Sequence, residues 1–299
     1  MTYDTFKQLI MKRLEKDIPE PKTVSIQSVV RNNGCYLDSL IIMEQERNIS
    51  PALFLNYYYD SYCKGDTFQE VYEMLLSNYR DNRPAGNIDI SFFTDFEKVK
   101  PTIVFKLVNY EKNKELLPEI PHIRFLDLAI VFYSLISMTS GDGNATILIY
   151  HSHLEVWNTT VSEIFSIAKA NTPAQLPAQI QNMKDMLKDL SEQSPFFPFP
   201  CVPQTHYPIF ILSNEQTMYG AASILYKDLL KEFAQQTGTD FYILPSSVHE
   251  VILVPAVIEN CMQELSEMVR EVNSSHVQEE EILADHAYFY SAKSNAISM

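Results

Sequence analysis

Hydrophobic and polar positions along this chain follow two periods, and the clearest succession of them lies between Tyr207 and Tyr290. YPIFIL is a short apolar run that predicts a strand. TMYGAASILYKDLLKEFAQQ places Met218, Ala222, Leu225, Leu229 and Phe233 at spacings of three and four, which predicts a helix ending before Gly238. FYIL and VHEVILV predict two strands separated by Pro245, Ser246 and Ser247. Ile258, Met262, Leu265, Met268, Val269 and Val272 predict a second helix, and HAYFY a closing strand. The fold class expected is therefore α+β, with a C-terminal β-α-β-β-α-β unit of ferredoxin-like order. Its first and third strands would be central and its second and fourth at the edges. Such a scaffold dictates no chemistry.

At the other end, MTYDTFKQLIMKRLEK sets Phe6, Leu9, Ile10 and Leu14 on one face of an amphipathic helix. TVSIQSVV and CYLDSLIIM flank Arg31, Asn32, Asn33 and Gly34. Asn-Gly between apolar runs is the strongest short signal for a hairpin. ISPALFLN predicts a further strand. TFQEVYEMLLSNY predicts a helix with Phe68, Val71, Tyr72, Leu75, Leu76 and Tyr79 on one side and Thr67 as its cap.

Between Thr102 and Asn171 the pattern reads as strand (TIVFKLVN), short helix (YEKNKELL), strand (FLDLAIVFYSLI), turn (SGDGN), strand (ATILIY) and helix (VSEIFSIAKA). That order parallels the C-terminal unit, and a common strand order in the two would mark them as diverged copies. Gln179 to Leu190, with Ile180, Met183, Leu187 and Leu190 on one side, predicts a helix. SPFFPFPCVPQTHYP then carries prolines at 195, 198, 200, 203 and 208, which deny the ladder its amide donors and mark a boundary. The expected regions are 1–172, a helix and linker over 173–204, and 205–299.

At 299 residues and 46% hydrophobic content the chain has material for a substantial core without staples. Cys35, Cys63, Cys201 and Cys261 lie far apart with no C-x-x-C pair, which signals neither a zinc knuckle nor a redox dithiol and suits a reducing compartment. The longest uncharged apolar run, Leu128 to Met138, falls short of the ~20 residues a membrane span needs. A cytoplasmic protein without cofactor is the expectation.

The net charge of −15 changes the picture most. Residues 1–130 hold 16 basic and 19 acidic side chains and 131–299 hold 7 and 19, so −3 lies in the first part and −12 in the second. A surface that negative repels phosphate backbones and speaks against direct nucleic-acid binding. It favours solubility, or docking of a basic protein partner.

The residues NNGCYLDSLII, NISPALFLNYYYDSY, HLEVW, the GAAS-containing helix, ILPSSVHEVILVP, EMVREVNSSHV and ADHAYFY occur in an order that resembles the bacterial family catalogued as domain of unknown function 5688. The resemblance runs over nearly the whole chain, and ILPSSVHEVILVP with EVNSSHV is its most specific part. It implies one complete bacterial protein and carries over no activity, substrate or cofactor.

Candidate chemistry centres on Ser246, Ser247, His249 and Glu250, with Asp285 and His286 opening the last strand. Nucleophilic catalysis would need a serine beside a histidine that a carboxylate orients, and there is no G-x-S-x-G elbow. The structural alternative has the serines satisfying turn amides and His249 and Glu250 hydrogen-bonded at the strand entrance. His151 and His153 form an H-x-H pair that on a strand would project to one face and start a metal site, with Glu155 on the same parity. HEVIL is no zincin helix, because Leu253 stands where the second histidine belongs. Glu279 to Glu281 read as a solvated acidic turn, and Gly220 to Ser223 as small residues that let a helix lie close on the sheet.

Three functions compete. One is a non-catalytic interaction scaffold with an acidic C-terminal half. Another is a small hydrolase or transferase using His249, Glu250, Asp285 or His286. The third is an acidic mimic of nucleic acid, with Glu264, Glu267 and Glu271 at phosphate-like intervals.

Overall fold

Alternation of side chains builds the first sheet, and one carboxylate ties its end. In the computed structural model, which describes residues 1–18, 22–45, 47–83, 87, 91–137, 144–186, 188, 208–257 and 261–299, helix α1 spans Tyr3–Asp17 and buries Phe6, Ile10 and Leu14. Leu9, expected on that face, is exposed. Strands β1 (Lys22–Val30) and β2 (Tyr36–Glu44) form the expected antiparallel hairpin, turned at Asn33 and Gly34, both with φ above +50°. The strand expected over ISPALFLN is only β3 (Leu53–Phe54), because helix α2 (Leu55–Lys64) begins at once and buries Leu55 and Tyr58. Helix α3 (Phe68–Asp81) starts with the Thr67 and Glu70 side chains each bonded to the other's backbone amide, which satisfies two donors no helical carbonyl can reach.

These elements share a core of Phe6, Ile10, Leu14, Leu40, Ile42, Leu53, Leu55, Val71, Tyr72 and Leu75. At its rim the Glu44 carboxylate receives Arg83 at 2.6 Å, Lys22 at 3.1 Å and the Tyr79 hydroxyl at 3.2 Å. The Arg83 guanidinium above all holds Glu44 down at about 2, against the opposing effect of burial.

By contacts the chain divides into one unit of Met1–Phe93 with Ile136–Ala145, which holds the elements above together with the end of the strand Leu128–Ser137 and the start of the strand Asn144–Leu148, and a second of Thr94–Leu135 with Thr146–Met299. The second opens with α4 (Phe96–Val99) and a four-stranded sheet of β4 (Ile103–Asn109), β5 (His122–Phe125), β6 (Leu128–Ser137) and β7 (Asn144–Leu148). The run expected as one strand, FLDLAIVFYSLI, is instead the end of β5 and the body of β6, bent at Leu126 with φ 56°. YEKNKELL forms turns closed by Asn113, whose amide bonds the Asn109 carbonyl, rather than a helix. Helices α5 (His151–Trp157) and α6 (Val161–Gln175) follow.

The remaining strands make a six-stranded antiparallel sheet in the order β13-β12-β10-β11-β9-β8. They are β8 (Ala178–Asn182), β9 (Phe210–Asn214), β10 (Phe241–Pro245), β11 (Val251–Pro255), β12 (Tyr288–Ser291) and β13 (Ala296–Ser298). β8 corrects the start of the helix expected over 179–190; Leu187 and Leu190 lie outside the described residues, as do SGDGN before Asn144, the proline-rich boundary up to Tyr207, and Ile258. β8 pairs with β9, so ladder bonds join the two sides of that boundary.

The expected ferredoxin-like order does not hold. β11 does insert between β9 and β10, as a split β-α-β requires, but β12 pairs with β10 and not with β9. The inner pair is therefore the second and third strands. Nor do the two blocks of parallel sequence pattern share a strand order: in the first block the middle strand of three, β6, is central, whereas in the last it is the third, β11. Helix α7 (Leu229–Thr237) is shorter than its sequence signal, because Gly220–Leu225 forms a separate 3-10 stretch and Asp228 takes φ 61°. Helix α8 (Met262–His276) buries Ser266, Val269 and Asn273, leaving the expected Met268 and Val272 exposed. Among the described residues no helix is long and apolar enough to cross a membrane.

The Thr67 cap yields a test: Thr67→Ala should cost ~1 kcal/mol in urea unfolding, and Thr67→Gly only a few tenths.

Candidate functional site

Three backbone stretches of the second unit converge around His249. β10 and β11 are joined by Ser246–Glu250, with Pro245 paired to Val251, so His249 and Glu250 lie in the connection and not, as expected, in the strand. The Ser247 amide bonds the Glu250 carbonyl, and the Ser247 hydroxyl accepts the His249 amide at 3.0 Å. The Ser246 hydroxyl reaches the Glu250 carboxylate at 3.3 Å. The Val248 amide bonds the Glu281 carbonyl, and the Ser213 hydroxyl donates to the His249 carbonyl. Every one of these bonds shapes the turn.

The His249 ring stacks on Tyr219, with centroids 5.5 Å apart and planes 13° from parallel. Its Nδ1 lies 3.2 Å from the Tyr219 amide and 3.1 Å from the Thr217 carbonyl, and Nε2 faces the Glu281 carboxylate at 3.7 Å. Thr217 and Tyr219 both take positive φ to bring their backbone to the imidazole. The Lys106 ammonium lies over the Tyr219 ring, 4.1 Å from its centroid. Neither serine bonds the histidine ring, so the nucleophile–base contact that a serine hydrolase needs is not formed here.

Gly220 explains how closely these stretches pack. A Cβ there would overlap the Ser213 hydroxyl and come within 2.5 Å of the His249 carbonyl and 2.7 Å of the Asn214 amide. The small residues do allow close approach, though to a strand and a loop through a 3-10 stretch rather than an α-helix.

His286 belongs to a different cluster. Its Nε2 lies 3.0 Å from the Asp127 carboxylate and its Nδ1 2.9 Å from the Ala287 carbonyl. Both neighbours only accept, so the ring satisfies both nitrogens as an imidazolium. The Asp127 bond raises its pKa, with burial opposing. Burial pushes the Asp127 carboxyl up, but bonds from His286 and from the Tyr288 hydroxyl at 2.8 Å outweigh it and hold the pKa below its ordinary value. Asp285 turns elsewhere, to Asn273 at 2.9 Å and Lys112 at 3.7 Å. His286 precedes β12, which β10 and β13 flank, so it does not open an edge strand.

Along the chain, buried Ile282, Leu283 and Ala284 lie between Glu281 of the first cluster and His286 of the second. Asp127 was not singled out from the sequence; its signal was a lone carboxylate interrupting an apolar run. His151 and His153 begin a helix, not a strand, and two positions on a helix are ~200° apart, so they do not share a face. His153 accepts the Tyr150 amide and stacks on Trp157, and burial lowers its pKa. Among the described residues no three His, Cys, Asp or Glu side chains form a metal-binding group. Glu279–Glu281 is a 3-10 turn.

Two tests follow from these distances. Gly220→Ala, and still more Gly220→Leu, should destabilise the protein by ~2 kcal/mol or more, read as a lower midpoint of thermal unfolding. Asp127→Asn should cost ~1–3 kcal/mol at neutral pH. The pH dependence has a definite sign. His286, with a raised folded pKa, contributes fully below its unfolded value of ~6.5 and loses the contribution as pH rises through the folded one; Asp127, depressed, contributes above ~3.9 and fails as pH falls through its folded value. Urea midpoints from pH 3 to 9 should therefore differ between wild type and Asp127→Asn most in the window between, converge as pH falls through the folded value of Asp127, and narrow only in part as His286 loses its proton, because the Tyr288 hydroxyl still bonds the carboxylate.

Comparison with curated proteins and with solved structures returns no match. Residues 3–292 match the family of unknown function DUF5688, and the chain belongs to that family.

Proposed function

We propose that this protein is a non-catalytic interaction protein that binds a basic protein partner through the acidic surface of its C-terminal region. The observation that carries the reading is the outward side of α8. Glu264, Glu267 and Glu271 are exposed there, and Met268 and Val272 stand among them 54% and 40% exposed. Ser266, Val269 and Asn273 hold the other side of the helix to the sheet. Positions three and four apart are neighbours on a helix surface, so the carboxylates and the two apolar side chains form one strip. A partner helix with lysines or arginines around an apolar stripe matches both its charge and its greasy centre.

The hydrolase or transferase reading has less support, because the candidate groups spend their hydrogen bonds on the fold: His286 on Asp127 and Ala287, Asp285 on Asn273 and Lys112, Ser247 on the His249 amide. The nucleic-acid mimic would use the same three glutamates but has no use for Met268 and Val272.

A labelled amphipathic peptide of alternating lysine and leucine turns, followed by fluorescence anisotropy, tests the reading. The triple substitution Glu264→Gln, Glu267→Gln, Glu271→Gln should weaken binding about tenfold at ~50 mM salt and erase most of its salt dependence. Equal affinity for wild type and the triple variant would rule this surface out.

A further inference from the structure

Strand β1 is nine residues long, contains no proline and keeps one unbroken register with β2 from Lys22↔Glu44 to Val30↔Tyr36. It is also an edge: the first unit's sheet runs β1-β2-β3, and among the described residues no strand pairs with the outer side of β1. The hairpin turn fixes which groups are open. The Arg31 amide bonds the Cys35 carbonyl, so Arg31–Cys35 is a hydrogen-bonded pair, and in an antiparallel ladder such pairs alternate with unbonded ones. Thr23, Ser25, Gln27 and Val29 therefore direct their backbone toward β2, whereas Val24, Ile26, Ser28 and Val30 direct theirs outward. The far side of β2 agrees: Asp38, opposite Ser28, gives its amide to the Asn56 side chain and not to β1.

The open backbone runs beside a groove of about 550 Å³ lined by Asp4, Lys7, Met11, Lys12 and Glu15 of α1 and by Ile26. At the end of the same face Val30 and Tyr36, a cross-strand pair, are 56% and 68% exposed. A nine-residue edge rich in β-branched residues, with no proline and no bulge and with its one lysine at the end, has little to keep it from pairing.

We propose that β1 is a self-association edge: two copies of this chain pair their β1 strands antiparallel about a two-fold axis at Ile26, joining two three-stranded sheets into one of six. Ile26 then bonds Ile26 of the second copy, and Val24 and Ser28 of each copy bond Ser28 and Val24 of the other. The chemistry of the strand selects a second copy over a partner chosen by charge. Lys22 is the only charged residue in β1 and falls opposite Val30 of the second copy, and Ser25 faces Gln27, so no like charges oppose each other. The groove rim carries two carboxylates and two ammonium groups, so this face approaches its own copy without net repulsion although the whole chain carries −15. The contact is isologous and closes at two subunits.

Proline distinguishes the outward from the inward amides. Ser28→Pro removes a donor that only the second copy uses, which edge strands tolerate; Gln27→Pro removes a donor that β2 uses. Sedimentation equilibrium of the full chain should give a dimer, with a dissociation constant raised roughly tenfold or more by Ser28→Pro at an unchanged circular dichroism spectrum. Gln27→Pro should lower the thermal midpoint itself. Ser25→Glu with Gln27→Glu, both at exposed positions, sets carboxylates opposite each other and should also dissociate the dimer. In the wild type, hydrogen exchange at the amides of Val24, Ile26 and Ser28 should slow as concentration rises, while those of Ser25 and Gln27 stay protected throughout. A monomer at every concentration, or a dimer indifferent to Ser28→Pro and to the double glutamate variant, would overturn the proposal, as would a monomer that took up only unrelated extended peptides at β1.

Discussion

Around Gly220, β9, the β10–β11 connection and the 3-10 stretch pack with no space for one more carbon atom. That constraint sets much of the second unit. It brings Val248 against Ala221 and Ser213 against the His249 carbonyl, and it places the histidine ring where Tyr219 stacks on it. Residues Gly220 to Ile224 are all buried, so the segment has no wet side. An amphipathic α-helix needs one, and the chain instead makes a tight turn first and begins its helix only at Leu229.

The polar side chains of this unit serve the same end. Asn273 bonds the Ala284 carbonyl, Asn109 bonds the Leu283 carbonyl, and the Ser266 hydroxyl accepts the Ala287 amide. Ile282 to Ala284 and Ala287, between the 3-10 turn and β12, are buried without belonging to a ladder, so their backbone needs such partners, and side chains from α8 and the end of β4 supply them. Asp285 and His286, which in sequence resemble half of a catalytic set, lie in this stretch and share its task.

What the sequence made legible was local. The first hairpin follows from Asn-Gly between alternating runs, and α3 from Thr67 and Glu70 at capping distance, because each signal and its partner lie within a few residues. The strand order of the last sheet was not legible. Periodicity tells that β12 is a strand, but the choice between β9 and β10 as its neighbour depends on packing far along the chain. The same limit hid Asp127, whose partner lies 159 residues away. Misreadings of type also had local causes: Met218, Ala222 and Leu225 are spaced for either a 3-10 or an α turn, and HSHLEVW is too short for alternation to be told from a single helical turn.

The bond between Asp127 and His286 also has a consequence in time. Everything between them must leave the ribosome before the β5–β6 turn can find its imidazolium, and at about 5–20 residues per second that is a wait of roughly 10–30 s. Until then the carboxylate keeps its hydration, and the bonds that hold it in the folded protein, from His286 and Tyr288, are among the last that synthesis makes available.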